Sequence, residues 1–250
     1  MALAGRPASS LAQGGPEWLA DDQAALPWPL YDEAPPGEPD AGAREPRPLA
    51  SPVAPVDSAG LERRAVFDVG RPIGLAVFMR DDALWLVFAA EGALDAIDLA
   101  RQGELGLGTA LIAEARGGVA LRFDNPRGRR PAIELDGTAW TIVLGEGAVT
   151  ESQALTVRAE PDHAQGARLF IEAVAATRPV AFVDTTVGDI LVAMPLAVAG
   201  RGIGDGRRYA EFDLMPSLLG IVVRPSIEDL RLRGVDGGVA ITAESGLQLS

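Results

Sequence analysis

Residues 66–88 read VFDVGRPIGLAVFMRDDALWLVF. Apolar side chains alternate with others in VFDV, dominate LAVF and LWLVF, and stop at turn formers. The stretch therefore predicts a strand, a Gly70/Pro72 corner, a second strand, an Asp81-Asp82 turn and a third strand. A β-rich domain begins here, directly after a segment of quite different character.

Downstream, ALDAIDLAR predicts one short helix near 94–101. Leu94, Ile97 and the stem of Arg101 would share one face, with Asp95 and Asp98 opposite. Strands are expected at 109–115 and 119–123 around Gly117-Gly118, and at 132–135 and 139–144 around Asp136-Gly137. Paired turn residues between apolar runs are hairpin signals. Further strands follow at 154–159, 168–174, 180–183, 190–196, 209–214, 219–223, 230–235 and 239–242. Short strands at short spacing indicate an all-β fold of antiparallel hairpins, a sandwich or roll. The chain divides into a tail (1–60), a first β unit (61–146) and a second β-rich unit (147–250).

Three stretches share a loose pattern: 65–89, 168–197 and 210–235. Each reads as a strand, a Pro or small-residue corner, an apolar strand, an acidic turn and another strand, which suggests internal duplication.

The tail has its own composition. Eleven of the 19 prolines fall within residues 1–60, among acids and alanines. Such a segment buries too little apolar surface to offset its ordering entropy, so it is expected to be disordered. One island stands out, WLADDQAALPWPLY at 18–31. Trp18, Trp28 and Tyr31 make it a candidate docking motif, for a partner or for the β domain itself.

Net charge is −13, which disfavours a nucleic-acid partner, because phosphate binding needs a basic face. All 22 basic residues are arginine, as a GC-rich genome would encode. The absence of cysteine removes disulfides, thiolate nucleophiles and thiolate metal sites. A single histidine, His163, leaves no multi-His zinc site. No run approaches the length of a membrane span, and no signal-peptide core follows Met1. No cofactor or metal is expected.

Candidate chemistry is sparse. Arg127, Arg129 and Arg130 crowd the loop NPRGRRP, where guanidiniums could pair with an anionic ligand. Asp184-Thr185-Thr186 ends an apolar strand, as the Asp-Thr/Ser-Gly triplet of aspartic proteases does. The third residue is threonine, however, and no second triplet exists. GRGIGDG at 200–206 lacks the spacing and the lysine of a phosphate loop and reads as a mobile hairpin tip. His163, in EPDHAQG, is expected to be exposed. Trp85 and Trp140 occupy strand positions suited to the core or, if exposed, to a sugar ring.

Residues 65–146 resemble the AMIN domain, a small β-rich module of bacterial envelope proteins. The resemblance is carried by AVFDVGRPIGLAVFMRDDALWLVFA, the short helix after it and TAWTIVLG. The wider arrangement, closing with 212–250, is similar to the N-terminal region of large bacterial proteins that carry tetratricopeptide repeats. It implies a non-catalytic binding or scaffolding role in the periplasm or cell envelope, with peptidoglycan glycan or envelope proteins as partners. It supplies no catalytic residue. The missing signal peptide and the end at Ser250 fit a fragment of a larger repeat protein. Two alternatives remain open. One is a hydrolase, aspartic-protease-like or carbohydrate-active; the other is a cytoplasmic adaptor acting through the tail.

Overall fold

The computed structural model of the chain describes residues 63–89, 94–125, 129–145 and 152–249. The expected tail, with Trp18, Trp28 and Tyr31, lies outside the described residues, as does Arg127. The described chain is mostly β. Its first half contains β1 (Arg63–Asp68), β2 (Leu75–Arg80), β3 (Ala83–Ala89), α1 (Ala96–Leu107), β4 (Ala110–Ala113), β5 (Ala115–Arg116), β6 (Gly118–Asp124), β7 (Ala132–Asp136) and β8 (Ala139–Leu144). The second half contains β9 (Gln153–Ala154), β10 (Val157–Glu160), β11 (Arg168–Glu172), β12 (Val180–Asp184) and β13 (Asp189–Met194). It continues with β14 (Arg201–Gly202), β15 (Arg207–Arg208), β16 (Phe212–Met215), β17 (Ile221–Pro225), β18 (Arg231–Val235) and β19 (Gly238–Thr242).

The run at 66–88 forms its three strands, but they do not lie in one sheet. β1 pairs with β8, while β2 and β3 form a hairpin in a second sheet. The corner makes the transfer. Gly70 takes φ +70°, and its N–H donates to the Asp68 carboxylate at 2.9 Å. A positive φ costs glycine nothing, so the chain can leave one sheet and enter the next. At the hairpin, Asp81 takes φ +50°, a conformation aspartate tolerates better than most residues.

The unbroken apolar run of β3 has a structural cause: every residue of β3 is buried. On one face Leu84, Leu86 and Phe88 join a core with β1, β8 and α1. On the other, Trp85, Val87 and Ala89 join Phe182, Leu191 and Ala193 of the second half. A strand covered on both faces has no reason to alternate.

The helix is longer than expected and turned differently. It starts at Asp95, whose carboxylate accepts from Ile97 N at 2.9 Å and Asp98 N at 3.1 Å, as an N-cap should. It runs on to Leu107. Its buried residues are Leu99, Ala100, Gly103 and Leu107, whereas Ile97 is exposed. Two glycines decide this face. A Cβ at Gly106 would stand 1.8 Å from Arg64 O, and one at Gly103 2.4 Å from the Phe123 ring. The helix therefore lies directly against β1, and these glycines are part of its contact face.

The expected strand at 109–115 divides in two. β4 pairs with β6, and β5 leaves to pair with β12.

The two halves repeat one topology. In the first, β1-β8-β7 form one sheet and β2-β3-β6-β4 another; in the second, β11-β19-β18 and β12-β13-β17-β16 occupy the same order. Pairing registers set Arg80 opposite Ala83 and Asp184 opposite Asp189 at the two hairpin ends, making Arg80 the counterpart of Asp184. Gly118 and Gly220 correspond too. A Cβ on Gly118 would strike Phe88 O and Val180, and one on Gly220 would strike Met194 O and Ala76, which are matching atoms. The stretch 210–235 is not a third copy. It spans β16, β17 and β18, counterparts of β4, β6 and β7, so its hairpin comes before the change of sheet rather than after it.

Each half also closes the other's exposed edge. The β2 edge bonds to the second half, with Leu75 N to Leu196 O at 3.0 Å and Val77 N to Leu219 O at 2.9 Å. The β12 edge receives β5 from the first half.

Candidate functional site

Asp184 and Asp189 stand at opposite ends of the β12–β13 turn and converge on one guanidinium. Asp184 is buried and lies 2.9 Å from Arg80 Nη1, while Arg80 Nη2 donates to Asp189. Arg224 lies 3.5 Å from Asp189 and pairs with Asp213, which Arg208 approaches at 3.2 Å. The network alternates in sign along one edge of the contact between the halves. The hydrogen bond from Arg80 holds the Asp189 carboxyl below the usual carboxylate range, against a smaller opposing effect of burial. Arg224 is raised, chiefly by Asp213. Sharing one proton requires two carboxylates that face each other. Here a guanidinium stands between them.

The rest of the Asp184 turn is local. Its Oδ1 accepts from Thr186 N at 3.1 Å, its carbonyl accepts from Gly188 N at 2.7 Å, and Gly188 takes φ +85°. The DTTVG stretch is a strand turn, with its carboxylate spent on an ion pair.

A cleft of about 520 Å³ lies between the halves. Arg130 and Pro131 wall one side. The loops at 203–205 and 216–218 wall the other, with Met79, Ser152 and Ala154 completing it. Arg130, one of the three arginines expected to meet a ligand, therefore reaches a cleft. Arg129 does not line it. Its backbone is clasped by Asn125, which donates from Nδ2 to Arg129 O at 2.8 Å and accepts from Arg129 N at 3.3 Å. Asn125 is buried, and its clasp fixes where the neighbouring Arg130 leaves the fold.

The opposite wall comes from the Gly-rich stretch, which is not a free hairpin tip. Arg201 and Gly202 run parallel to Gln153 and Ala154. Ile203 is buried, and its N–H donates to Ser217 Oγ at 2.9 Å, while that hydroxyl donates to Gly220 O at 2.6 Å. A Cβ at Gly202 would lie 2.3 Å from Ser217 O, so only glycine permits the approach. Ser152 Oγ donates to Leu218 O at 3.1 Å and ties the wall together. Asp205, exposed at the end of this wall, puts a carboxylate on the cleft opposite in sign to Arg130. The cleft thus offers a cation, an anion and apolar side chains among its lining residues.

The remaining candidate residues lie elsewhere. Trp85 and Trp140 are buried; Trp140 Nε1 donates to Ile73 O at 3.0 Å, and Trp85 packs 5.3 Å from Phe182. Neither is available to a sugar ring. His163 is half-buried rather than exposed, with Nδ1 accepting from Gln165 N at 3.3 Å. No group of three or more His, Asp or Glu among the described residues converges as a metal site would require. No helix among them is long and apolar enough to cross a membrane.

Asp205 and Ser217, whose hydroxyl ties Ile203 to Gly220, carry no marker of their own in the sequence. The only available signal was the spacing of glycines at 202, 204 and 206, which fits many loops.

No family model, curated protein or solved structure matches this chain.

Proposed function

We propose that this chain is a non-catalytic binding module of the bacterial cell envelope, AMIN-like in its first half. Its ligand seat is the cleft between the halves. The ligand class is a short wall peptide, or a glycan-linked peptide of peptidoglycan, bearing both a carboxylate and an ammonium group. The observation that carries the reading is the cleft itself: Arg130 follows the backbone that Asn125 clasps and Asp205 follows the buried Ile203–Ser217 hydrogen bond, with Met79, Ile203 and Pro216 among the lining residues. A guanidinium binds a carboxylate through two parallel hydrogen bonds, and fixed walls reduce the entropy lost on binding. A binding role also accounts for Asp184 and Asp189, whose carboxylates are engaged by arginine. The envelope assignment rests on the resemblance of residues 65–146.

The test is a pulldown of the full chain on purified peptidoglycan sacculi. Retention is expected, and Arg130→Ala should weaken it about tenfold, the size of one charge-assisted hydrogen bond. Asp205→Ala should weaken it as well. Absence of retention, or retention indifferent to both substitutions, would overturn the reading.

A further inference from the structure

The four main sheets lie in layers. One face of β1-β8-β7 shares a core with β3 and β6, and one face of β10-β11-β19-β18 shares a core with β13 and β17. The two inner sheets meet each other through their second faces. This order leaves the outer face of β1-β8-β7 at one end of the stack and the outer face of β10-β11-β19-β18 at the other. Alternation along each strand decides what these ends present. At the first end, Ala65, Phe67 and Ile133 point into the core, so Val66, Asp68, Glu134 and Asp136 point outward, with Arg64 beside them. At the second, Leu169, Ile171 and Leu232 point inward, so Phe170, Arg231 and Arg233 point outward.

The internal repeat matches the two ends position by position, and their charges are opposite. Asp136 stands opposite Ala139 and Ala139 opposite Asp68; Val235 stands opposite Gly238 and Gly238 opposite Glu172. Counted from these, Glu134 is the counterpart of Arg233, and Ala132 that of Arg231. Glu134 and Asp136 make no ion pair among the described residues, and neither does the exposed Arg233. The other arginines of the second end are set in place. Arg158 and Arg168 lie over the Phe170 ring at 5.1 and 5.5 Å and pair with Glu172 and Glu160, while Arg231 pairs with Glu244 at 2.7 Å. Each end also carries an exposed apolar side chain, Val66 at 44 % and Val235 at 37 %.

We propose that the two ends bind each other between copies of this chain, the β10-β11-β19-β18 face of one copy seating on the β1-β8-β7 face of the next. Charge selects this occupant: an unpaired guanidinium on one face and unpaired carboxylates on the other stand at matched positions of sheets built alike. The contact joins two different surfaces, so every copy keeps one free end of each kind and growth is open-ended. The layering within the chain continues across it, sheet on sheet at about 10 Å. Exposed ion pairs are individually weak, and a net charge of −13 repels the copies, so the contact is a weak one that charge reversal abolishes. None of these residues lines the cleft, so the proposal stands apart from the ligand reading.

Sedimentation velocity of the full chain tests it. The weight-average sedimentation coefficient should rise with protein concentration without reaching a plateau. Arg233→Glu and the double variant Glu134→Arg/Asp136→Arg should each weaken self-association about tenfold or more. An equimolar mixture of the two should associate again, because each reversed face meets its complement. Circular dichroism reports whether each variant keeps the β fold, and Arg233→Gln and Glu134→Gln, which only remove charge, serve if a reversal unfolds the chain. A coefficient independent of concentration in the wild type would overturn the proposal, as would a plateau at the dimer, which marks a symmetric contact of like faces. So would variants that associate like the wild type, or a mixture of folded variants that associates no better than its components.

Discussion

Arg80 shows how much one side chain can carry. It faces Asp184, its counterpart in the internal repeat, and the buried Asp184 carboxylate has no other cation within ion-pair distance among the described residues. Arg80→Leu should therefore cost about 3–5 kcal/mol, the usual penalty for a buried charge left alone. The double variant Arg80→Leu/Asp184→Leu should recover most of that loss, because apolar replacement of a whole buried pair is often neutral. Urea midpoints of the two variants and the wild type check both expectations. Asp189 supplies the pH dependence. Its folded pKa is lowered, so its contribution is complete above the unfolded value and is lost as pH falls through the folded one. Stability should be level from pH 7 to about 5 and fall below about 4, with a shallower fall in Asp189→Asn. Denaturation midpoints across that range measure it. The sequence marked Asp184 as notable, but it could not show that Arg80 would be its partner. That contact joins residues 104 positions apart (184 less 80) and exists only once two hairpins face each other.

Among the elements, hairpins were legible and their partners were not. A turn such as Asp136-Gly137 is a local property, so β7 and β8 could be placed from their own residues. The pairing of β1 with β8 joins strands about 70 residues apart, and nothing in either strand announces it. The helix shows the same limit. Its start is written in Asp95, while its extent depends on glycines chosen for packing against β1. Glycine is a poor helix former, so local propensity argued for an early stop. These contacts rank the glycines. Gly118→Ala should cost well over 2 kcal/mol, because its Cβ would lie 2.0 Å from the Phe88 carbonyl oxygen, a backbone atom that cannot swing aside. Gly137→Ala meets nothing within 4 Å and pays only for φ +59°, about 1 kcal/mol. Thermal melts of the two variants should separate them by several degrees.

The candidate site was half legible at the scale of the whole molecule. Arg130 could be picked out as one of three clustered arginines, but its cleft exists because the two halves meet, and that meeting depends on faces no local pattern defines. Phe78, Trp85 and Phe182 pack with ring centroids 5.3–6.2 Å apart across the junction of the two inner sheets. Each half also supplies backbone hydrogen bonds to an edge of the other. Separating them would expose that aromatic cluster and leave the β2 and β12 edges unpaired at once. The halves should therefore unfold together, even though each repeats the other's topology. Trp85→Ala should cost about 3–5 kcal/mol, as truncation of a buried aromatic does. Gly220→Ala strikes the second half, where its φ of +76° and a Cβ 2.8 Å from Ala76 both oppose alanine. With Trp18 and Trp28 replaced by Phe in both variants, and Trp85 by Phe in the Gly220→Ala protein, Trp140 is the remaining tryptophan, and in urea titrations far-ultraviolet circular dichroism should follow the same single transition as its fluorescence, which reports the first half where it is buried. Coincidence of the two probes is the mark of one cooperative unit. A Gly220→Ala curve in which circular dichroism falls before Trp140 responds would mean that the first half survives alone. The cleft would then lie between separable bodies, and ligand binding would have to draw them together rather than find them joined.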